Sequence, residues 1–186
     1  MTPSSIAYWT FEEDIPYLAV IAVFAVFFVL AMIIERKRSG WKKFRYALAV
    51  AGLVAWIVLI LMLTIIYRRD NGYRTYNFDL LRTYKRIING SDRTFKDVGY
   101  NMLMLLPMGL FIPIIWDKVK FIHVLLICGG FSMCIEITQF ITCRGSLELG
   151  DLLHNTMGAL IGYWICAAVK RIVGRTQGSQ DDLPTF

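Results

Sequence analysis

The chain has 186 residues, 56% of them hydrophobic, with a mean hydropathy of +0.53. A soluble domain is about 45–50% apolar; here the excess is gathered into long continuous runs without strand-like alternation, which argues against both a soluble domain and a β-barrel. The formal net charge is +6, but the bases flank the apolar runs, which reads as a topology signal and lipid contact rather than nucleic-acid binding.

Five spans are predicted in chain order. The first is Ile15–Ile34, preceded by Glu12, Glu13 and Asp14 and lacking the basic start of a signal peptide, so it is expected to be an uncleaved anchor. The second is Tyr46–Tyr67, between Arg45 and Arg68. The third is Val98–Trp116, kinked by Pro107 and Pro113. The fourth is Phe121–Thr142 and contains Glu136, and the fifth is Leu152–Val169, closed by Lys170 and Arg171. Only helices and closed barrels satisfy their backbone polar groups in lipid. The expected fold is therefore all-α, a polytopic membrane helix bundle of about five transmembrane helices.

Lysine and arginine placement gives the orientation. The turn after the first span holds Arg36, Lys37, Arg38, Lys42, Lys43 and Arg45 against Glu35, so it is expected in the cytoplasm. The N-terminus is then outside, and Asp117–Lys120 and the C-terminus are inside. Residues 68–97 would lie outside although they carry eight basic residues. Within them Phe78, Leu81, Tyr84 and Ile88 recur at helical spacing with bases opposite, which predicts an amphipathic interfacial helix between spans two and three. The expected divisions are a two-helix anchor region at 1–67, a basic extracytoplasmic loop at 68–97, a three-helix unit at 98–170 and a disordered cytoplasmic tail at 171–186.

Polar residues inside the spans are the candidate site. A charge at mid-membrane costs about 2.5–3.5 kcal/mol on insertion scales, so Glu136 needs a partner or a wet cavity. Gln139 follows three residues on, Arg144 ends the fourth span, and Asp151 and Asn155 share a face of the fifth. Asp151 also suits a helix cap. With Asn101 these residues come from three spans at one depth, which predicts a shared polar pocket in the outer half of the bundle. An ion pair of Arg144 with Asp151 or Glu136 is expected to neutralise it, and His154 is expected to be peripheral. Gly158 and Gly162 form a GxxxG, expected to pack helices within the monomer, with dimerisation as the alternative.

Cys128, Cys134, Cys143 and Cys166 have no CxxC spacing and read as small buried hydrophobes. No metal site or cofactor is expected, and no phosphate-binding loop, HExxH or GxSxG occurs.

Together these residues resemble a known pattern. Asn101-Met-Leu-Met-Leu-Leu-Pro107-Met-Gly109, then Glu136-Ile-Thr-Gln139, then Arg144 and Asp151-Leu-Leu-His-Asn155-Thr-Met-Gly158-Ala-Leu-Ile-Gly162-Tyr163 are similar to the motif blocks of the VanZ-like family. The resemblance implies a small bacterial membrane protein associated with resistance to teicoplanin-type glycopeptides, working at the cell surface. Expected partners are membrane lipids and, as ligand, a lipid-linked cell-wall precursor, lipoteichoic material or a glycopeptide. The alternatives are a membrane enzyme on a lipid-linked envelope substrate, with Glu136 and Asp151 as acid and base and Arg144 as an anion clamp, or a lipid transporter.

Overall fold

A computed structural model describes residues 17–34 and 39–181, with side chains over 24–33, 39–81 and 83–172. The elements in order are α1 (Tyr17–Ile34), α2 (Gly40–Leu61) running into a π-helical turn (Met62–Ile66), β1 (Thr75–Asn77), α3 (Leu80–Ile88), α4 (Asp92–Ile115), α5 (Phe121–Ile141), β2 (Ser146–Glu148) and α6 (Leu149–Asp181). Among the described residues four stretches are long and apolar enough to cross a membrane: Gly40–Ile66, Asp92–Ile115, Phe121–Ile141 and Leu149–Ile172. The 18 residues of α1 reach about 27 Å at 1.5 Å per residue, close to the hydrocarbon thickness. The protein is thus an all-α membrane bundle.

The helices begin earlier than hydropathy suggests. The α2 helix starts at Gly40, so Lys42, Lys43 and Arg45 ride on its first turns rather than in a loop. Lysine and arginine are good helix formers whose stems lie along apolar surface while the charge stays wet. The α4 helix starts at Asp92, six residues before the predicted start, and the Ser91 side chain caps it by accepting the Thr94 backbone N–H at 3.4 Å. The α6 helix opens at Leu149 and continues to Asp181, past the start expected for a disordered tail; no proline interrupts it before Pro184. Glu12, Glu13, Asp14, Glu35, Arg36, Lys37 and Arg38, which enter the orientation argument, lie outside the described residues, as do residues 182–186.

The core joins α2, α4, α5 and α6 through Ile60, Leu105, Met108, Ile112, Val124, Cys128, Ile135 and Ala159. Helices α4 and α6 run parallel and touch backbone to backbone. A Cβ on Gly158 would land on the Met102 carbonyl, one on Gly162 on the Leu106 carbonyl, and one on Gly109 on the Ala159 carbonyl. The four-residue step is the same on both helices, so the GxxxG is occupied inside the monomer, as small residues permit. Gly52 of α2 receives the Phe111 ring of α4, and Trp56 Nε1 donates to the Met104 carbonyl at 2.8 Å, within the turn before Pro107. The α2 helix therefore packs against α4 as well as against α1.

Two clamps close the ends. At one, Lys170 Nζ donates to the Pro113 carbonyl at 2.6 Å and lies 3.9 Å from Asp117. At the other, β1 and β2 pair in parallel, Thr75 with Ser146, Tyr76 with Leu147 and Asn77 with Glu148. The Asn71 N–H also donates to the Cys143 carbonyl at 2.8 Å. This small sheet is an addition to the expected all-helical fold. It pins the 68–97 segment against the α5–α6 connection.

A polar cluster at the β-ladder end of the bundle

Glu136 faces inward from the last turns of α5 and is 3% exposed. Its Oε2 accepts the Glu148 backbone N–H at 2.9 Å. The donor comes from β2, so the ladder that holds the 68–97 segment also holds the carboxylate. One turn earlier on α5, Ser132 Oγ accepts from Asn155 Nδ2 of α6 at 2.9 Å, with both residues fully buried. One turn before Asn155 on α6 stands Asp151, whose carboxyl is within the electrostatic reach of the Asn101 side chain of α4. Asn101, Glu136, Asp151 and Asn155 thus stand near one another on three helices.

Gln139 and Arg144 turn elsewhere. Gln139 Nε2 donates to the Thr64 carbonyl at 3.2 Å, and Arg144 Nη1 donates to the carbonyls of Ile65 at 2.8 Å and Ile66 at 3.1 Å. The expected ion pair of Arg144 with Glu136 or Asp151 is therefore corrected. The physical reason lies in α2, whose closing π turn ends with carbonyls that lack helical partners. A guanidinium satisfies two of them with one nitrogen.

Arg68 stands in the place expected for Arg144. It follows Tyr67, the cap of the π turn, and is the cation acting electrostatically on both Glu136 and Asp151. Glu148 acts on both carboxylates as well, and Asp97 on Asp151. Sequence reasoning missed Arg68 because it brackets an apolar run, where a base is expected for topology alone. Ser132 carried a usable signal, since it sits four residues before Glu136 on the same helix face.

His154 is not peripheral. It is 3% exposed, and its Nε2 lies 3.2 Å from the Tyr84 hydroxyl of α3. Its Nδ1 and the Asn155 Oδ1 are buried without a hydrogen-bond partner. Among the described residues no group of His, Cys, Asp and Glu has the geometry to hold a metal ion. The chemistry on hand is that of two carboxylates, two amides and a guanidinium at one end of the bundle. Such a set can accept hydrogen bonds from a hydroxyl or ammonium headgroup, offer a positive fork to a phosphate, or exchange a proton.

Comparison with known proteins gives three findings. A family model described as VanZ/LLP1 matches residues 48–170, from early α2 through the membrane part of α6. Protein VanZ of Enterococcus faecium is 24% identical over 116 residues, which cover 60% of this chain and 69% of that protein. No solved structure matches.

Proposed function

The chain belongs to the VanZ/LLP1 family, and on that footing we propose that it acts at the extracytoplasmic face of the bacterial cytoplasmic membrane, through the Glu136–Asp151 cluster, to lower susceptibility to teicoplanin-type glycopeptides. The observation that carries this reading is the convergence of Asn101, Glu136 and Asp151 with Arg68 at the bundle end bearing the 68–97 segment. Buried polar groups in a membrane helix are costly and mark functional sites by default. The orientation rests on the bases around the α1–α2 turn, which favour a cytoplasmic turn and put the cluster on the opposite side. The ligand class supported by the donor and acceptor set is a lipid-linked cell-wall precursor, lipoteichoic material or the glycopeptide itself. The N-terminus is outside and the C-terminus cytoplasmic in this reading.

The test is teicoplanin susceptibility of a Gram-positive host with and without the chain, beside E136A and D151N variants expressed to equal level in the membrane. The wild-type chain raises the inhibitory concentration and both variants abolish the rise. No change with the wild-type chain removes the reading.

Arg68 supports a second reading, a membrane enzyme on a lipid-linked envelope substrate. Glu136 and Asp151 would exchange the proton, and Arg68 rather than Arg144 would hold a phosphate. Turnover of a radiolabelled lipid-linked precursor by the purified chain, lost in R68Q, separates this reading from the first.

A further inference from the structure

The α3 helix is too short to cross a membrane, yet it presents a lipid-like face. Its nine residues divide into three stripes. Thr83 and Ile87 turn toward the bundle, with Thr83 Oγ1 beside Gly150 at the start of α6. Leu81 and Ile88 are 67% and 83% exposed, and Tyr84 joins them on that stripe while its hydroxyl reaches His154. Lys85 and Arg86 are exposed beside this apolar edge, and no acidic residue lies on the helix. Phe78 just before α3 and Phe95 on the first turn of α4 are exposed as well. Across residues 68–97, eight basic side chains face four acidic ones.

We propose that this face docks on anionic lipid headgroups of the leaflet at the β-ladder end, with Leu81 and Ile88 in the acyl boundary and Lys85 and Arg86 among the phosphates. Charge complementarity selects that occupant. An apolar stripe alone fits any bilayer, whereas a stripe flanked only by bases favours a negatively charged surface. The docked helix lies over the opening turn of α6, since Tyr84 meets His154 and Thr83 meets Gly150. Anionic lipid is thereby gathered within reach of the polar cluster. The inference rests on the exposed face of α3 and stands whatever the cluster does.

The test uses the full chain, one per nanodisc, in phosphatidylcholine alone or mixed with phosphatidylglycerol, read by backbone hydrogen exchange. Amides of Leu80–Ile88 are expected to exchange at least about fivefold more slowly with phosphatidylglycerol, the preference that roughly one base near an anionic surface provides. K85Q/R86Q, a double variant of exposed side chains, removes the difference, as does high salt. The I88D variant raises exchange in both lipids. The buried Leu105–Ile112 turns of α4 serve as the internal standard for an intact fold. Equal exchange in the two lipids overturns the proposal, as does a difference that survives K85Q/R86Q. Protection that follows the number of chains per disc rather than the lipid overturns it in favour of a face between copies.

Discussion

The Asn155 amide donates to the Ser132 hydroxyl across the α5–α6 seam at 2.9 Å, with neither side chain reaching the surface. A neutral hydrogen bond of this kind in a membrane protein couples its partners by about 0.6 kcal/mol on average and at most about 1.7. A double-mutant cycle of S132A and N155A, read as unfolding free energy in mixed micelles, is expected to fall in that range. N155A alone costs more than the coupling, because it also leaves a gap in a packed seam. A coupling indistinguishable from zero would remove the bond from the account of the site.

Glu136 carries a structural duty beside any functional one, and two substitutions separate them. Glutamine keeps an oxygen for the Glu148 N–H, which Glu136 now accepts at 2.9 Å. Alanine leaves that N–H unpaired, at about 1–3 kcal/mol. E136A is therefore expected to lower thermal stability and to open the Ser146–Glu148 amides to exchange, while E136Q leaves both near the wild-type values. If the function proposed above fails equally in both variants, the acidic group near Arg68 is the functional element. Equal destabilisation by the two substitutions would contradict the assigned bond.

Arg144 and Gln139 act on backbone, so the loss of Arg144 is read in the stability of the π turn. Arg144 Nη1 alone serves the carbonyls of Ile65 and Ile66, and Gln139 serves Thr64 in the same turn. Hydrogen bonds to a charged group are worth about 1.5–3 kcal/mol. R144A is expected to lose that amount and to speed exchange of the Tyr67 N–H, which closes the π turn on the Met62 carbonyl at 2.9 Å. R144K restores only part, since an ammonium lacks the planar fork. An unchanged Tyr67 exchange rate in R144A would show that the turn holds itself.

These cases also show which parts were legible beforehand. The α5 span is read almost to the residue, because Lys120 and Arg144 bound a largely apolar run. The starts of α2 and α4 are missed by six residues each, because hydropathy ignores the charged first turns that backbone propagation includes. Glu136, Asp151 and Asn101 stand out as polar residues in apolar runs at one depth. The target of Arg144 does not, since carbonyls freed by a π turn leave no mark in side-chain chemistry. The ladder of Thr75–Asn77 with Ser146–Glu148 is equally silent: three residues are too few for a periodicity, and the partners lie some 70 positions apart.

The α4–α6 seam sets the register of the cluster, because Asn101 reaches Asp151 only if the two helices keep their close parallel contact. A Cβ on Gly158 would fall 2.6 Å from the Met102 carbonyl carbon and 2.9 Å from its Cα, atoms that cannot yield without moving the helix. By contrast, a Cβ on Gly99 or Gly130 meets nothing within 4 Å. G158A is therefore expected to cost about 1–3 kcal/mol through overpacking, and G158L more, with loss of the cluster's function. G99A and G130A are expected to be neutral or to stabilise by up to about 1 kcal/mol, since alanine holds a helix better than glycine. Unfolding free energies of the four variants in one detergent check the ordering. If G158A matched G130A, the seam would be loose enough to absorb a methyl group, and the register of Asn101 with Asp151 would have to be held by α5 and the β-ladder instead.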